Sequence, residues 1–252
     1  MHRFFIGKKQ EDESLLWLSP EESRHAVKVL RIKKGESVLA FDSSGNEYES
    51  KVHEMGPDGR LQVEVLKLHK RAVSNSVCIH IAQGFLQKQK MDWIVEKACE
   101  IGVSSLVPLK SEFSMVNPKG DSLDRIQNRW NRIIQSAAKQ SGNVNLLQIS
   151  EPMDFKSAVE KSKESQFRFL FHPHKVELNL KQAVEEISGD VFLFIGPEGG
   201  FSEKEVDFSK MSGIRTIGLG ENILRAETAS VVLAGIFKLM CSPLRRNRKD
   251  LS

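Results

Sequence analysis

Residue types able to hold a ligand or do chemistry concentrate at three places in the 252-residue chain. The first is Phe192-Leu-Phe-Ile-Gly-Pro-Glu-Gly-Gly-Phe-Ser-Glu-Lys-Glu205, an apolar strand running into a glycine-rich turn and then a helix start. Ser202 and Glu205 have capping-box spacing, and Phe201 can staple onto Val206. Gly196, Gly199 and Gly200 let a ligand approach the backbone at a strand's C-terminal end, where open α/β sheets keep their sites. Glu198 puts a carboxylate in a turn where backbone shape alone would suffice; the plain alternative is a tight turn with no ligand. The run is neither a Walker loop nor a G-x-G-x-x-G dinucleotide turn. An anionic Glu198 would repel a polyphosphate and attract a cationic ligand such as a sulfonium.

The second place is Gly218-Leu-Gly-Glu-Asn-Ile-Leu-Arg-Ala-Glu-Thr-Ala229, again strand, glycine turn and helix start. Glu227 suits a helix N-terminus and could pair with Arg225 as a cap; an arginine is the less expected residue there, which points to a task for Arg225. The third is Phe171-His172-Pro173-His174. Either histidine could be a base, a ring stacked on a nucleotide or an exposed loop residue, and two histidines without a third ligand make no metal site. Three strands thus end in loops bearing Gly, Pro or His. In a parallel sheet such loops share one edge and can enclose one ligand.

The elements that position these loops follow from the apolar pattern. Val77 to Ala82, Val103 to Leu109, Leu146 to Ile149, Phe167 to Phe171, Val191 to Ile195 and Ile214 to Leu219 read as strands, apolar enough to be buried on both faces. Between them, Met91, Ile94, Val95, Ala98 and Ile101 form one helical stripe, and Leu123, Ile126, Trp130, Ile133, Ile134 and Ala137 another. The helix from Ala229 to Met240 is apolar on almost every face, so it must be buried within its domain or against another subunit. Ahead of a boundary near Lys70 to Ser76, Ser37 to Phe41, Glu47 to Val52 and Leu61 to Leu68 read as short strands joined by Gly-containing turns. One helix is expected there from Pro20 to Leu30, with Ser19 as N-cap and Glu22 in the capping-box slot. The division is therefore residues 1–72, a small β-rich domain, and 73–252, an α/β domain.

With 40% apolar and 28% charged residues the chain can bury ordinary cores, which excludes a disordered tail or a fibrous repeat. No apolar run reaches membrane-spanning length and the first ten residues lack a secretory pattern, so a cytoplasmic protein with no membrane association is expected. Cys78, Cys99 and Cys241 are widely spaced with no C-x-x-C pair, which points to core thiols and no metal. The formal charge of +4 is modest. The cationic tail Arg245, Arg246, Arg248 and Lys249 could contact phosphates or simply be a solvated end.

Taken together, Arg3, His25-Ala-Val-Lys-Val-Leu-Arg31, Lys90-Met-Asp, Glu96-Lys-Ala-Cys-Glu-Ile-Gly102, Gln140-Ser-Gly142, Phe171-His-Pro173, Gly196-Pro-Glu-Gly-Gly200 and Ile223-Leu-Arg-Ala-Glu-Thr228 occur in an order that resembles the bacterial RsmE-type methyltransferases. The resemblance spans nearly the whole chain. It implies a PUA-like β-barrel followed by a SPOUT-type α/β domain with a C-terminal trefoil knot, S-adenosyl-L-methionine as methyl donor, and a homodimer. The implied reaction is methylation of uridine N3 in the 16S ribosomal RNA of the small subunit. On this reading the loops containing Phe171, His172 and Pro173, then Ile195, Gly196, Pro197, Glu198, Gly199 and Gly200, then Leu219, Gly220, Ile223, Leu224 and Arg225, hold the donor. Arg225 would stabilise charge on the uracil carbonyls and Glu198 would position donor or base. Arg3, His25, Lys28, Arg31, Lys88 and Lys90 would hold RNA. The family carries arginines where this chain has Phe113, Asn143, His174 and Asn222, so the RNA face departs from the pattern more than the donor loops do. A noncatalytic RNA-binding ribosome-assembly factor on the same fold is the alternative. A nucleotide-binding enzyme of doubly wound type is weaker, since neither phosphate fingerprint is present.

Overall fold

The computed structural model describes residues 1–7, 14–71, 77–116, 118 and 120–241; the tail residues Arg245, Arg246, Arg248 and Lys249 lie outside them. The chain forms two compact units, Met1–Ser74 with Gln135–Leu146, and Asn75–Ile134 with Leu147–Ser252. The short segment Gln135–Leu146, at the end of a long helix of the second half, therefore groups with the first unit.

In the first unit, β1 (Arg3–Phe5), β2 (Leu15–Trp17), β3 (Ser37–Phe41), β4 (Asn46–Met55) and β5 (Leu61–Arg71) make a five-stranded sheet in the order β1-β3-β4-β5-β2. The β3–β4 turn is set by Asp42, whose Oδ1 accepts from the backbone N–H groups of Ser44 and Asn46, both at 2.9 Å. Phe4, Leu16, Leu18, Ala26, Val38 and Val63 form its core. Helix α1 (Pro20–Arg24) starts as expected, with Ser19 Oγ accepting from Glu22 N–H and Pro20 in the first turn. It does not continue as an α-helix to Leu30. The stretch His25–Val29 is a π-turn, closed by Leu30 N–H donating to His25 O at 3.1 Å. The wider turn lets Ala26 and Ile32 both reach the core while His25, Lys28 and Val29 stay exposed. Glu22 makes no capping box either: it is buried, and Lys139 Nζ neutralises it at 2.7 Å. Arg31, just beyond, is the non-glycine residue with positive φ (55°) among the described residues.

The second unit holds β6 (Ile79–Gly84), α2 (Lys88–Ile101), β7 (Ser105–Lys110), α3 (Asp121–Ser141) up to Ile134, β8 (Gln148–Ile149), β9 (Met153–Asp154), α4 (Phe155–Ser162), β10 (Phe167–Phe171), β11 (Leu178–Asn179), α5 (Leu180–Glu185), β12 (Val191–Ile195), α6 (Glu203–Met211), β13 (Arg215–Gly218) and α7 (Ala226–Cys241). The sheet runs β11-β13-β10-β12-β6-β7-β8, with β9 also on β7, and every pairing is parallel. Parallel strands must be covered on both faces. Phe192 and Phe194 pack with Phe155, Val159 and Val206 of α4 and α6, while Phe169 stacks on Phe237 of α7. In α2, Met91, Ile94, Val95 and Ala98 are buried as their spacing predicts, and in α3 so are Trp130, Ile134 and Ala137. Helix α7 buries Ala229, Leu233, Ala234 and Phe237 but exposes Leu239 and Met240, 77% and 68% accessible. No described helix is long and apolar enough to cross a membrane.

Candidate functional site

The parallel topology puts the C-terminal ends of β10, β12 and β13 on one edge, and the loops that follow them wall a cavity of about 550 Å³. After β12 the chain turns at Pro197, whose carbonyl accepts from Gly200 N–H at 2.9 Å. It then enters α6 through the expected capping box: Ser202 N–H donates to Glu205 Oε2 at 2.9 Å, and Glu205 N–H to Ser202 Oγ at 3.4 Å. The staple pair Phe201 and Val206 is buried in one core cluster. Glu205 Oε1 also accepts from Glu112 N–H at 3.0 Å, which ties the helix start to the loop after β7. That loop explains Gly199: a Cβ there would lie 2.9 Å from Phe113 Cβ, so its nearest neighbour is a side chain of this chain.

Charge at the cavity comes from four residues. Lys90, in the first turn of α2, places its ammonium 2.8 Å from Glu198 Oε1 and 3.8 Å from Glu227 Oε2. The hydrogen bond to Glu198 holds the Lys90 ammonium above its ordinary pKa. Glu227 Oε2 is buried and has no hydrogen-bond partner. Arg225 is exposed on the cavity wall, and its carbonyl accepts the first bond of α7, from Ala229 N–H at 2.8 Å. Also on the wall, His172 Nδ1 accepts from the backbone N–H groups of His174 and Lys175 at 3.1 and 3.0 Å. Burial, followed by the Lys175 charge, pushes the His172 pKa below 6.5. The ring is therefore neutral at pH 7, with its proton on Nε2.

The cavity wall brings together Phe171, His172 and Pro173; Ile195, Gly196, Pro197, Glu198, Gly199 and Gly200; and Ile223, Leu224 and Arg225. Leu219 and Gly220 are not in it, because they close the turn after β13 before the chain returns. His174, Phe201 and Ala226 join the wall, and so does Lys90, which the sequence assigned to RNA. Nothing in a run of lysines discloses which of them has a carboxylate partner from a distant segment.

The other cations separate. Arg3 is engaged within its own unit: Nε bonds Glu47 Oε2 at 2.5 Å, Nη1 donates to the carbonyls of Ala138 and Lys139, and the guanidinium covers the Phe41 ring at 4.6 Å. With its side chain 10% exposed, Arg3 is a tie between β1 and the 135–146 segment rather than a free phosphate contact. His25 lines a hollow of about 740 Å³ with His2, Lys139 and Gln140, whereas Lys28 lines another with Arg24 and Arg60. Arg31 and Lys88 are exposed. Of the four positions where the resemblance leads one to expect arginine, Phe113 abuts Gly199, His174 is on the cavity wall, Asn143 Oδ1 accepts from Asn145 N–H, and Asn222 is exposed.

Cys99 is a core thiol, pushed up to about 11 by burial, but Cys78 and Cys241 are only half-buried, at the margins of β6 and α7. Cys78, His80 and Asp190 have ligand atoms within 4.8 Å of one another at the opposite end of the sheet from the cavity. Hydrogen bonds within the sheet account for two of them. Asp190 Oδ1 accepts from Cys78 N–H at 2.8 Å, and His80 Nδ1 pairs with Ser105 Oγ at 2.7 Å.

Comparison with known proteins agrees with this arrangement. The family model described as the RNA methyltransferase domain matches residues 73–238, and that of the RNA methyltransferase PUA domain matches 18–66. The chain is 27% identical over 237 residues to the ribosomal RNA small subunit methyltransferase E of Buchnera aphidicola subsp. Schizaphis graminum, covering 94% of each chain. It is 25% identical over 239 residues to the protein of the same name from Bacillus subtilis, covering 91% and 93%. A methyltransferase from Legionella pneumophila, solved in complex with the cofactor SAM, is 25% identical with a TM-score of 0.84 over 94% of this chain and 96% of that one. A ribosomal RNA small subunit methyltransferase E from Neisseria gonorrhoeae, at 24% identity and TM-score 0.82 over 95% and 98%, shares the fold. With the catalytic-domain match spanning 73–238 and the accessory domain preceding it, the chain belongs to the RNA methyltransferase family.

Proposed function

We propose that this protein transfers a methyl group from S-adenosyl-L-methionine to N3 of a uridine in the 16S ribosomal RNA of the small subunit, and that it works as a homodimer. The observation that carries the reading is the cavity at the C-terminal edge of β10, β12 and β13, inside the matched RNA methyltransferase domain. Relatives aligned over more than nine-tenths of the chain are named ribosomal RNA small subunit methyltransferase E, and the Legionella neighbour was solved with SAM.

The residues fit such a donor. A volume of about 550 Å³ is in the range of small-molecule sites, and the walls are apolar at Pro173, Ile195 and Leu224. Gly196, Gly199 and Gly200 have no side chain to keep a ligand from their backbone, which suits the turn to reading an adenine edge. The orphaned carboxylate oxygen of Glu227 and the Glu198 carboxylate bracket Lys90, so no net positive charge opposes a cationic group. When bound, S-adenosyl-L-methionine supplies a methyl group made electrophilic by the adjoining sulfonium. The chain's own task is then to orient and stabilise the uridine. N3 is a poor nucleophile until its proton leaves, and negative charge develops on the flanking carbonyl oxygens as it does. Arg225, exposed at the mouth and anchored through its carbonyl to α7, offers a fork of donors to those oxygens. Glu198, held by Lys90, orients the donor side of the site. Extruding the target base from its stack costs about a few kcal/mol, which backbone contacts from the first unit would offset. The exposed His25 and Lys28 on the π-turn, and Arg31 just beyond it at positive φ, are the groups placed for that contact.

Titration calorimetry with S-adenosyl-L-methionine, paired with nucleoside mass spectrometry of 16S ribosomal RNA from cells with and without the protein, tests the reading. Donor binding and loss of one N3-methyluridine on deletion are expected. Donor binding with an unchanged nucleoside profile would favour the assembly-factor alternative.

A further inference from the structure

We infer that Gln83 is a positioning residue that locks the 196–200 turn to the helix that begins just after Arg225. Gln83 is the penultimate residue of β6 and completely buried, in the same strand as the buried apolar Ile79, Ile81 and Ala82. Its Nε2 donates to the carbonyls of Gly84 at 3.0 Å and Gly196 at 3.3 Å, and its Oε1 accepts from Ser230 Oγ at 2.6 Å. Chemistry fixes the orientation of this amide. Two carbonyl oxygens can only accept, so they must face the NH₂, and the hydroxyl is then the donor to the oxygen.

The three bonds join three elements around the cavity. Gly196 begins the turn that carries Glu198, and Ser230 is buried in α7 one turn beyond Arg225 and Glu227. The strand end lies directly beneath the turn: a Cβ on Gly84 would fall 2.4 Å from Pro197 N, so nothing larger than glycine leaves the turn where it is. Neither Gln83 nor Ser230 is in the cavity wall. A leucine would fill the same space without the cost of burying an amide, so packing alone does not call for glutamine. What the amide adds is a fixed carbonyl direction at Gly196 and a fixed setting of the first turns of α7 against it.

The inference rests on the reading of this cavity as the methyl-donor site. Its test compares the full-length protein with Gln83→Leu, Ser230→Ala and Ser230→Thr by calorimetry with S-adenosyl-L-methionine and by methyl-transfer kinetics, with thermal midpoints recorded without donor. Loss of the single buried hydrogen bond in Ser230→Ala should weaken donor binding about tenfold, and loss of all three in Gln83→Leu at least as much, each raising the donor KM with little change in kcat at saturating donor. Ser230→Thr, which keeps the hydroxyl, should bind more tightly than Ser230→Ala. A purely structural role would lower the thermal midpoint and leave KM and affinity alone. If folded Gln83→Leu binds donor as wild type does, the inference is wrong; should that variant not fold, wild-type affinity in Ser230→Ala overturns it equally. A wild-type protein that does not bind the donor removes the underlying reading, and the inference with it.

Discussion

Arg225 and His172 face the cavity from different loops, and their chemistry can be separated by experiment. For Arg225→Ala, loss of a preorganised donor should slow transfer about a hundredfold with donor affinity nearly intact. Arg225→Lys should fall between, because a compact ammonium does not reproduce a planar fork. Single-turnover kinetics at saturating donor reads both, and a full-rate Arg225→Ala enzyme ends the assignment. If the cavity holds the donor as proposed, the lowered pKa of His172 predicts a site that is acid-sensitive. Its folded pKa lies below the ordinary 6.5, so the unfolded chain binds the proton more readily, and stability rises with pH across that window. The contribution is complete above pH 6.5 and is lost as pH falls through the lower folded value, when a proton on Nδ1 displaces the N–H groups of His174 and Lys175. Donor affinity should fall on that acid limb, and His172→Gln, which keeps an acceptor but does not titrate, should flatten it. An imidazole NMR titration with its midpoint at or above 6.5 would contradict the assignment. These residues differ in how legible they were. Arg225, Glu198 and His172 stand out because a charged or titratable group interrupts a glycine or proline turn. Lys90 and Gln83 do not: a lysine in a helix and a glutamine in a strand have no distinguishing spacing, and only the partners contributed by distant segments give them a role.

At the level of elements, the strands β10 and β12 keep the bounds that their sequence predicts, Phe167–Phe171 and Val191–Ile195, because runs apolar at nearly every position admit little else. The α6 start was equally plain, since its capping box and staple are local. Helix α1 was not, because the residues of a π-turn carry no period of their own and the competing partner of Glu22, Lys139, is more than a hundred positions away. Arg3 follows the same logic. Its charge suggested a phosphate contact, yet it is paired with Glu47, itself 4% exposed, and bonded to carbonyls of the 135–146 segment. Removing one member of a buried pair leaves the other uncompensated, so Arg3→Ala should cost about 3–5 kcal/mol of stability. Urea unfolding of the full chain measures this. The salt dependence of RNA binding should keep its slope in that variant; a stable Arg3→Ala protein whose slope falls by about one would restore the phosphate contact. Excising residues 1–70 is a poor substitute for this test, since it would strip the 135–146 segment of its partners.

For the whole molecule, the question left by α7 is what its apolar residues do. Ala229, Leu233, Ala234 and Phe237 are used within the second unit, but Leu239 and Met240 remain open to solvent on the last turn. Burying one such side chain stabilises an interface by roughly 1.5–3 kcal/mol, and a two-fold axis would use each residue twice. Leu239→Glu should therefore shift a dimer toward monomer in light scattering, with a small effect on the unfolding of the monomer itself because the residue packs against little in its own chain. A dimer also allows the donor held by one subunit to meet RNA held by the other. Two variants distinguish that from two independent sites. Gly199→Val disrupts the donor turn, since its branched side chain must displace Phe113. Arg31→Glu reverses charge on the exposed cationic turn of the first unit while leaving the cavity untouched. Each should be inactive alone. Co-refolded or co-expressed together, they form mixed dimers that pair one intact donor cavity with one intact RNA turn on opposite chains. Recovery of methyl transfer in the mixture means the site is shared across the axis. Independent sites give no recovery, because no single chain then has both halves intact, and an active monomer in light scattering would rule out the shared site altogether.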